Sequence, residues 1–277
     1  MKYWYKLVSV CVVLVFCLVS APAMSDDVPT IAAASSIKFA LDEIAVHFTQ
    51  DTGLKVNISY GSSGNFVAQI RHGAPFQLFL SADEKYIHQL RQYDASLGEG
   101  TLYAVGRLAI AAPKYSPLEL DPKLMGLKSL LKTGKLRRFA IANPDHAPYG
   151  ERAREVLQRL GLWDKLKPKL IYGENVSQAA QFTVSGSTQG GIIALSLAIS
   201  PQFQALGHYK IIPAALHTPL TQRMILTGKA GETAKVFYHY LQSDSARQIF
   251  SDFGFGLPVP NEEKLVKLKL YQLEVSD

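Results

Sequence analysis

Apolar and polar positions along this chain fall into a repeating alternation of short strands and longer amphipathic helices. Ile31 to Ala34 is a brief apolar run, as expected of a strand covered on both faces. Ile37, Leu41, Ile44, Ala45 and Phe48 follow at helical spacing, and Thr52-Gly53 is a stop signal. Lys55 to Tyr60 alternates like a second strand, and Gly61-Ser-Ser-Gly64 leads into a helix carrying Phe66, Val67 and Ile70. Gly73-Ala-Pro75 ends that helix, and Phe76 to Leu80 is a third strand. Ser81-Ala-Asp-Glu84 reads as a capping box, with Glu84 satisfying the start of a helix that buries Tyr86, Ile87 and Leu90. A βαβαβ order of this kind predicts a parallel sheet with helices on both faces.

Thr101 to Ala112 reads as one longer strand that carries the chain into a second lobe. There the pattern repeats. A short helix spans Leu127 to Leu131, and a strand runs from Arg138 to Ala142. The turn-rich loop Asn143 to Gly150 precedes a helix with Ala153, Val156, Leu157 and Leu160. A strand over Lys169 to Tyr172 leads through Gly173-Glu-Asn175 into a helix with Val176, Ala179 and Ala180, and Gly190 to Leu195 is again strand-like. Tyr209 to Pro213 and Thr221 to Leu226 form the return, and two helices close the fold. The expected architecture is α/β, with two lobes that are each a mostly parallel sheet flanked by helices. Residues 24–104 with 211–277 make the first lobe and 105–210 the second.

Four strand-to-helix junctions carry small or donor-rich residues: Ser35-Ser36, Ser62-Ser63, Pro148-Tyr149-Gly150 and Asn175-Val176-Ser177. Two fall in each half. Ligands of open α/β sheets sit at such carboxyl ends of strands, and a helix N-terminus offers unpaired N–H groups to an anion. Two halves contributing two helix starts each would surround a small oxyanion with neutral donors. Such a site suits a fully deprotonated guest, because it offers no acceptor for a ligand proton. Lys38, Phe39 and Phe66 stand three residues after Ser35, Ser36 and Ser63, so no local carboxylate fills those helix starts. Glu151 and Glu174 argue the other way in the second half unless they point away. The competing reading makes all these serines ordinary N-caps.

Composition narrows the class. The chain has 277 residues, 48% of them hydrophobic and 19% charged, enough for a large core or two linked lobes. The net charge of +6 comes with no long basic run and no stacking motif, which argues against nucleic acid as a partner. Lys2 and Lys6, the apolar run Leu7 to Val19 and Ala21-Pro-Ala23 make up a secretory leader, cut after Ala23 and covering residues 1–23. The alternative is an uncleaved anchor, against which stand the short run and its cleavage-like end. Both cysteines, Cys11 and Cys17, lie in the leader, so the mature chain has no disulfide, thiol nucleophile or cysteine metal site.

Enzymatic motifs are absent from the sequence. Gly61-Ser-Ser-Gly64 is not a nucleophile elbow, and Gly126 to Lys135 is not a phosphate loop. The seven histidines show no zinc spacing. His146, close to Tyr149, is the one nearest a junction of interest. An exported serine hydrolase using one of the Ser junctions remains the alternative from a different class. It lacks an elbow and a recognisable base.

Ala32-Ala-Ala-Ser-Ser36, Tyr60-Gly-Ser-Ser-Gly64, Gly73-Ala-Pro-Phe-Gln-Leu-Phe-Leu-Ser-Ala-Asp83, Pro144-Asp-His-Ala-Pro-Tyr-Gly150 and Gly173-Glu-Asn-Val176 together resemble the periplasmic molybdate-binding proteins of ABC importers. The closing Phe237-Tyr-His-Tyr-Leu241, Ile249-Phe250 and Gly254-Phe255 extend the resemblance over nearly the whole mature chain, up to about Pro258. It implies a venus-flytrap, type II binding protein of the periplasm, without catalytic residues, that passes molybdate or tungstate to an inner-membrane permease and its ATPase. It implies ligand contacts at Ser35, Ser63, Tyr149 and Val176, with Ser36 close by. No cofactor is expected, molybdenum enters only as its oxyanion, and the protein is expected to be a monomer. Some members of the family place a ligand tyrosine where this chain has Ala194, so Tyr149 is expected to stand in for it. Within the class, the alternatives are receptors for sulfate or phosphate.

Overall fold

The computed structural model describes residues 28 to 258. The expected leader with its two cysteines, and the tail from Asn261, lie outside these residues. Among the described residues no helix is long and apolar enough to cross a membrane.

The chain builds two five-stranded sheets of the same design. The first contains β1 (Thr30–Ala34), β2 (Asn57–Gly61), β3 (Phe76–Ser81) and β4 (Thr101–Gly106). Between these strands run α1 (Lys38–Thr52), α2 (Ser63–Arg71) and α3 (Glu84–Tyr93). Arg107 then separates β4 from β5 (Leu108–Pro113), which belongs to the second sheet. The stretch read as one strand from Thr101 to Ala112 is therefore two strands in different sheets. Apolar residues flank the change of sheet on both sides, and only Gly106 and the exposed Arg107 interrupt them.

The second lobe continues through α4 (Met125–Lys132), β6 (Phe139–Ala142), α5 (Pro148–Arg159), α6 (Trp163–Leu166), β7 (Leu170–Gly173) and α7 (Val176–Val184). It closes with β8 (Gly191–Ala194), α8 (Leu195–Ala198), α9 (Pro201–Leu206) and β9 (Gly207–Ile211). β10 (Leu220–Leu226) returns to the first sheet, and α10 (Glu232–Tyr240) and α11 (Asp244–Asp252) cover it.

Strand order is β2-β1-β3-β10-β4 in one sheet and β7-β6-β8-β5-β9 in the other. β10 is antiparallel to both β3 and β4, and β5 is antiparallel to both β8 and β9, while β1 to β3 and β6 to β8 pair in parallel. Each sheet thus has four strands running one way and one against them. The reversed strand is in each case the one by which the chain enters from the other lobe.

Packing follows the strand period of two. In β1, Ile31 and Ala33 join the apolar layer under α1, α10 and α11, while Ala32 joins the opposite layer with Phe66, Phe79 and Ile87. Phe48 is fully buried and meets Phe237 edge-on at 4.8 Å, tying the first helix to α10. Full burial of one such ring is worth about 1.5–3 kcal/mol. Gly53, at φ 73°, ends α1 in the left-handed conformation that glycine adopts without strain. The core of the second lobe is a single cluster that also takes in Ala34 and Ala82 of the first lobe. The two lobes therefore share apolar contact at the strand ends where their helices begin.

The start of α3 differs from the capping box expected over Ser81 to Glu84. Asp83 is the N-cap, with its carboxylate accepting the Lys85 N–H at 2.9 Å. Ser81 is the last residue of β3 and exchanges bonds with the backbone of Asp83. Glu84 turns aside to Arg223 and Thr221. The strand runs one residue beyond the apolar stretch, which displaces the cap from Ser81 to Asp83.

Candidate functional site

The four junctions singled out above converge on one small cavity between the lobes. Ser35 and Ser36 do not cap an α-helix directly. They form a 3-10 turn, Ser35–Ile37, between β1 and α1. Ser63 is the first residue of α2, after Ser62 in extended conformation. Across the gap, Pro148 opens α5, where its missing N–H costs nothing. Val176 opens α7 behind the N-cap Asn175. Ser35, Ser36, Ser63, Tyr149 and Val176 all line the cavity, which in this closed form has a volume of about 10 Å³, about the space of one water molecule. Ala34, Gly61, Ala82, Ala147 and Pro148 supply apolar wall, and Ser62 and Asn175 complete it. Ala194 is buried in β8 and is not part of the lining.

The hydroxyls share one arrangement. Ser35 Oγ accepts the Ser177 N–H at 3.3 Å, Ser63 Oγ accepts the Ala82 N–H at 3.0 Å, and the Tyr149 hydroxyl accepts Gln222 Nε2 at 3.1 Å. Each oxygen has one acceptor site occupied by a nitrogen donor, so its own hydrogen is left to donate. Ser36 Oγ is buried and makes no hydrogen bond of good geometry, the Tyr149 hydroxyl being its polar neighbour. Burial pushes the Tyr149 phenol above its ordinary pKa, against the opposing pull of the Ser36 hydroxyl and the Gln222 amide, which keeps it a protonated donor. Asn175 Oδ1 accepts from the N–H groups of Ser177 and Gln178, and the Val176 N–H, ahead of both, has no partner among the described residues. No charged side chain lines the cavity.

Both acids that could have opposed an anion are turned away and engaged. Glu151 pairs with Lys85 of the first lobe, and Glu174 accepts from Asn65 and lies 3.6 Å from His146 Nε2. His146 Nδ1 in turn meets Ser62 Oγ at 3.0 Å, and its carbonyl accepts the Gly64 N–H at 3.0 Å. This Ser62–His146 contact is what a hydrolase reading would seize on. It joins residues of opposite lobes and works as a bond across the gap.

The model of the bacterial extracellular solute-binding proteins matches residues 29–256. The chain belongs to this family. It is 35% identical over 230 residues to the molybdate-binding protein ModA of Azotobacter vinelandii, covering 82% of this chain and 89% of that one. Identity to ModA of Escherichia coli is 33% over 242 residues, covering 82% and 88%. The solved structure of the Azotobacter vinelandii periplasmic molybdate-binding protein superposes with a TM-score of 0.75 at 32% identity, over 83% of this chain and all of that one. The protein is accordingly a binding protein of the two-lobed periplasmic type and not an enzyme.

As a solute-binding protein it must open to admit a guest, because Ser35, Ser36, Ser63, Tyr149 and Val176 are each at most 4% exposed. Several residues that hold it shut were not legible in the sequence. Ser177 Oγ donates to the Ser35 carbonyl at 2.9 Å, and Ser196 Oγ to the Ser36 carbonyl at 2.6 Å. Asp83 and Arg152 form a buried ion pair across the gap. None of these carries a local signal, since each depends on a partner more than sixty positions away. Among the described residues no group of three or more His, Cys, Asp or Glu is placed to hold a metal ion.

Proposed function

We propose that this protein is the exported receptor of an ABC import system for molybdate, with tungstate as a second guest. Ser35, Ser36, Ser63, Tyr149 and Val176 hold the oxyanion, and the loaded protein delivers it to an inner-membrane permease and its ATPase. The observation that carries this reading is the Ser36 hydroxyl, 1% exposed and without a well-formed hydrogen bond. A buried hydroxyl left unpaired costs about 1–3 kcal/mol, and an oxyanion in the cavity would repay it. The surrounding hydroxyls with hydrogens to spare and the Val176 N–H favour a tetrahedral guest with acceptors on every side. A lining without carboxylates favours one that carries no proton. The likeness to molybdate-binding relatives supports the choice of metal.

Closure is proposed to move two bodies, one comprising the β1–β4 segment with residues 220–258 and the other residues 108–211. The crossings at Arg107 and at residues 212–219 act as hinges. The protein is proposed to be a periplasmic monomer released by cleavage after Ala23, which N-terminal sequencing of the exported form and light scattering test directly.

Calorimetry at neutral pH with molybdate, tungstate, sulfate and phosphate decides the guest. Tight binding of the first two, and weak or no binding of phosphate, is expected. Tighter binding of sulfate or phosphate than of molybdate would overturn the assignment.

A further inference from the structure

Asp83 divides its carboxylate between two tasks. One oxygen caps α3 by accepting the Lys85 N–H at 2.9 Å, within the first lobe. The other accepts from Arg152 of α5, in the second lobe. Both side chains are almost fully buried, at 6% and 7% exposure. Arg152 continues the connection. Its Nη1 donates to Glu155 Oε1 at 2.6 Å, and Glu155 Oε2 accepts the Thr218 N–H at 2.7 Å. Thr218 lies between β9 and β10, on the return crossing of the chain. A single line of charge-assisted bonds therefore runs from a helix start in one lobe, through the other lobe, to the backbone of a crossing segment.

The members of this line differ in what they lose when the lobes part. Arg152 keeps Glu155, its neighbour one turn along α5, and keeps Glu151 at 3.6 Å. Asp83 keeps its cap. Of the bonds in this line, the Asp83–Arg152 bond is the one that spans the gap. Neither residue lines the cavity. Burial raises the pKa of Asp83 against the opposing pull of the Lys85 N–H and the Arg152 charge, so its carboxylate relies on these partners in the closed form. Glu155 shifts the opposite way. Burial raises its pKa, but the Thr218 N–H and Arg152 outweigh that and leave it lowered.

We infer that Asp83 and Arg152 are positioning residues that set how long the guest stays. They form a latch that stabilises the closed form without touching the oxyanion and, through Glu155 and Thr218, ties closure to the hinge. This rests on the proposed oxyanion-receptor reading. Truncating one partner of a buried charge pair acts mainly on dissociation, whereas the open cleft that first meets the guest lacks the bond altogether.

The test is stopped-flow binding of molybdate to the full mature protein and to Asp83→Asn, Arg152→Gln and the double variant. Asparagine is also a good N-cap, so Asp83→Asn removes the charge and spares the helix. Each single variant should raise the dissociation rate about tenfold or more and leave the association rate within about threefold. The double variant should dissociate little faster than either single variant. Dissociation rates within twofold of the parent, or effects of the two substitutions that multiply as independent sites do, overturn the latch.

If the parent binds none of the oxyanions, the receptor reading fails, and the latch is then read without ligand. Spin labels at Val46→Cys and Met125→Cys, both exposed and in opposite lobes, report the distance between lobes. A shift towards longer distances in Asp83→Asn upholds the latch, and an unchanged distribution overturns it.

Discussion

Ser35 and Ser177 bond to each other twice across the gap between the lobes. The Ser177 N–H donates to Ser35 Oγ at 3.3 Å, and Ser177 Oγ donates to the Ser35 carbonyl at 2.9 Å. One lobe's 3-10 turn and the other lobe's first helical turn on α7 are thereby clasped together beside the cavity. The bond from Ser177 also orients the Ser35 hydroxyl, leaving its hydrogen free for a guest. Closing the protein and preparing a donor are the same event at this pair.

The Ser63 hydroxyl accepts from Ala82 and can donate into the cavity, so its removal costs a charge-assisted bond worth roughly 1.5–3 kcal/mol. Ser63→Ala is expected to weaken molybdate binding about tenfold or more by calorimetry. Binding as tight as the parent's would remove Ser63 from the site.

Val176 is proposed to act through its backbone. Proline is tolerated at the first position of a helix and lacks an N–H, and Asn175 before it is already extended, as proline requires. Val176→Pro should therefore lose affinity while the circular dichroism and melting of the unliganded protein stay near those of the parent. Val176→Ala, which keeps the N–H, should bind almost normally. Equal losses in the two variants would assign the contact to the side chain instead.

Gly64 sits against the backbone of the other lobe, its N–H donating to the His146 carbonyl at 3.0 Å. A Cβ there would lie 2.7 Å from the His146 carbonyl oxygen, well inside contact distance. Within α2 itself, alanine is favoured over glycine by about 1 kcal/mol. Gly64→Ala is expected to leave unliganded stability unchanged or higher while weakening oxyanion binding, because only the closed form clashes. A variant that binds normally would show that the lobes need not approach this far.

His217 supplies a pH dependence. Burial lowers its pKa below the ordinary 6.5, more than the Thr218 carbonyl and the Glu155 charge raise it. The unfolded chain then takes up the proton first as pH falls. Its contribution is present above about pH 6.5 and is lost as pH drops through the folded value. Melting temperature should fall between pH 7.5 and 5.5 in the parent and fall less in His217→Gln. Glu155, also lowered, adds a second loss in more acidic solution, below its ordinary 4.5. Parallel pH profiles for parent and variant would exclude His217 as the source.

The chain by itself determined the sequence of strands and helices, because burial imposes a period of two or 3.6 on residues that are near neighbours. It also determined where the unfilled helix starts lie, because the absence of a local carboxylate after Ser35, Ser36 and Ser63 is a short-range fact. The capping of α3 was misread for a local reason of its own. Ser81 and Asp83 are both good caps, and only the length of the β3 pairing chose between them.

Tertiary structure alone decided which junctions face one another, where the chain leaves one sheet for the other at Arg107, and what balances the acids near the site. Glu151 and Glu174 looked unfavourable in the sequence because Lys85, Asn65 and His146 are distant along the chain and reach them only when the lobes meet. Periodicity records whether a residue is buried. The identity of the group it is buried against depends on contacts between distant segments, which no local pattern encodes.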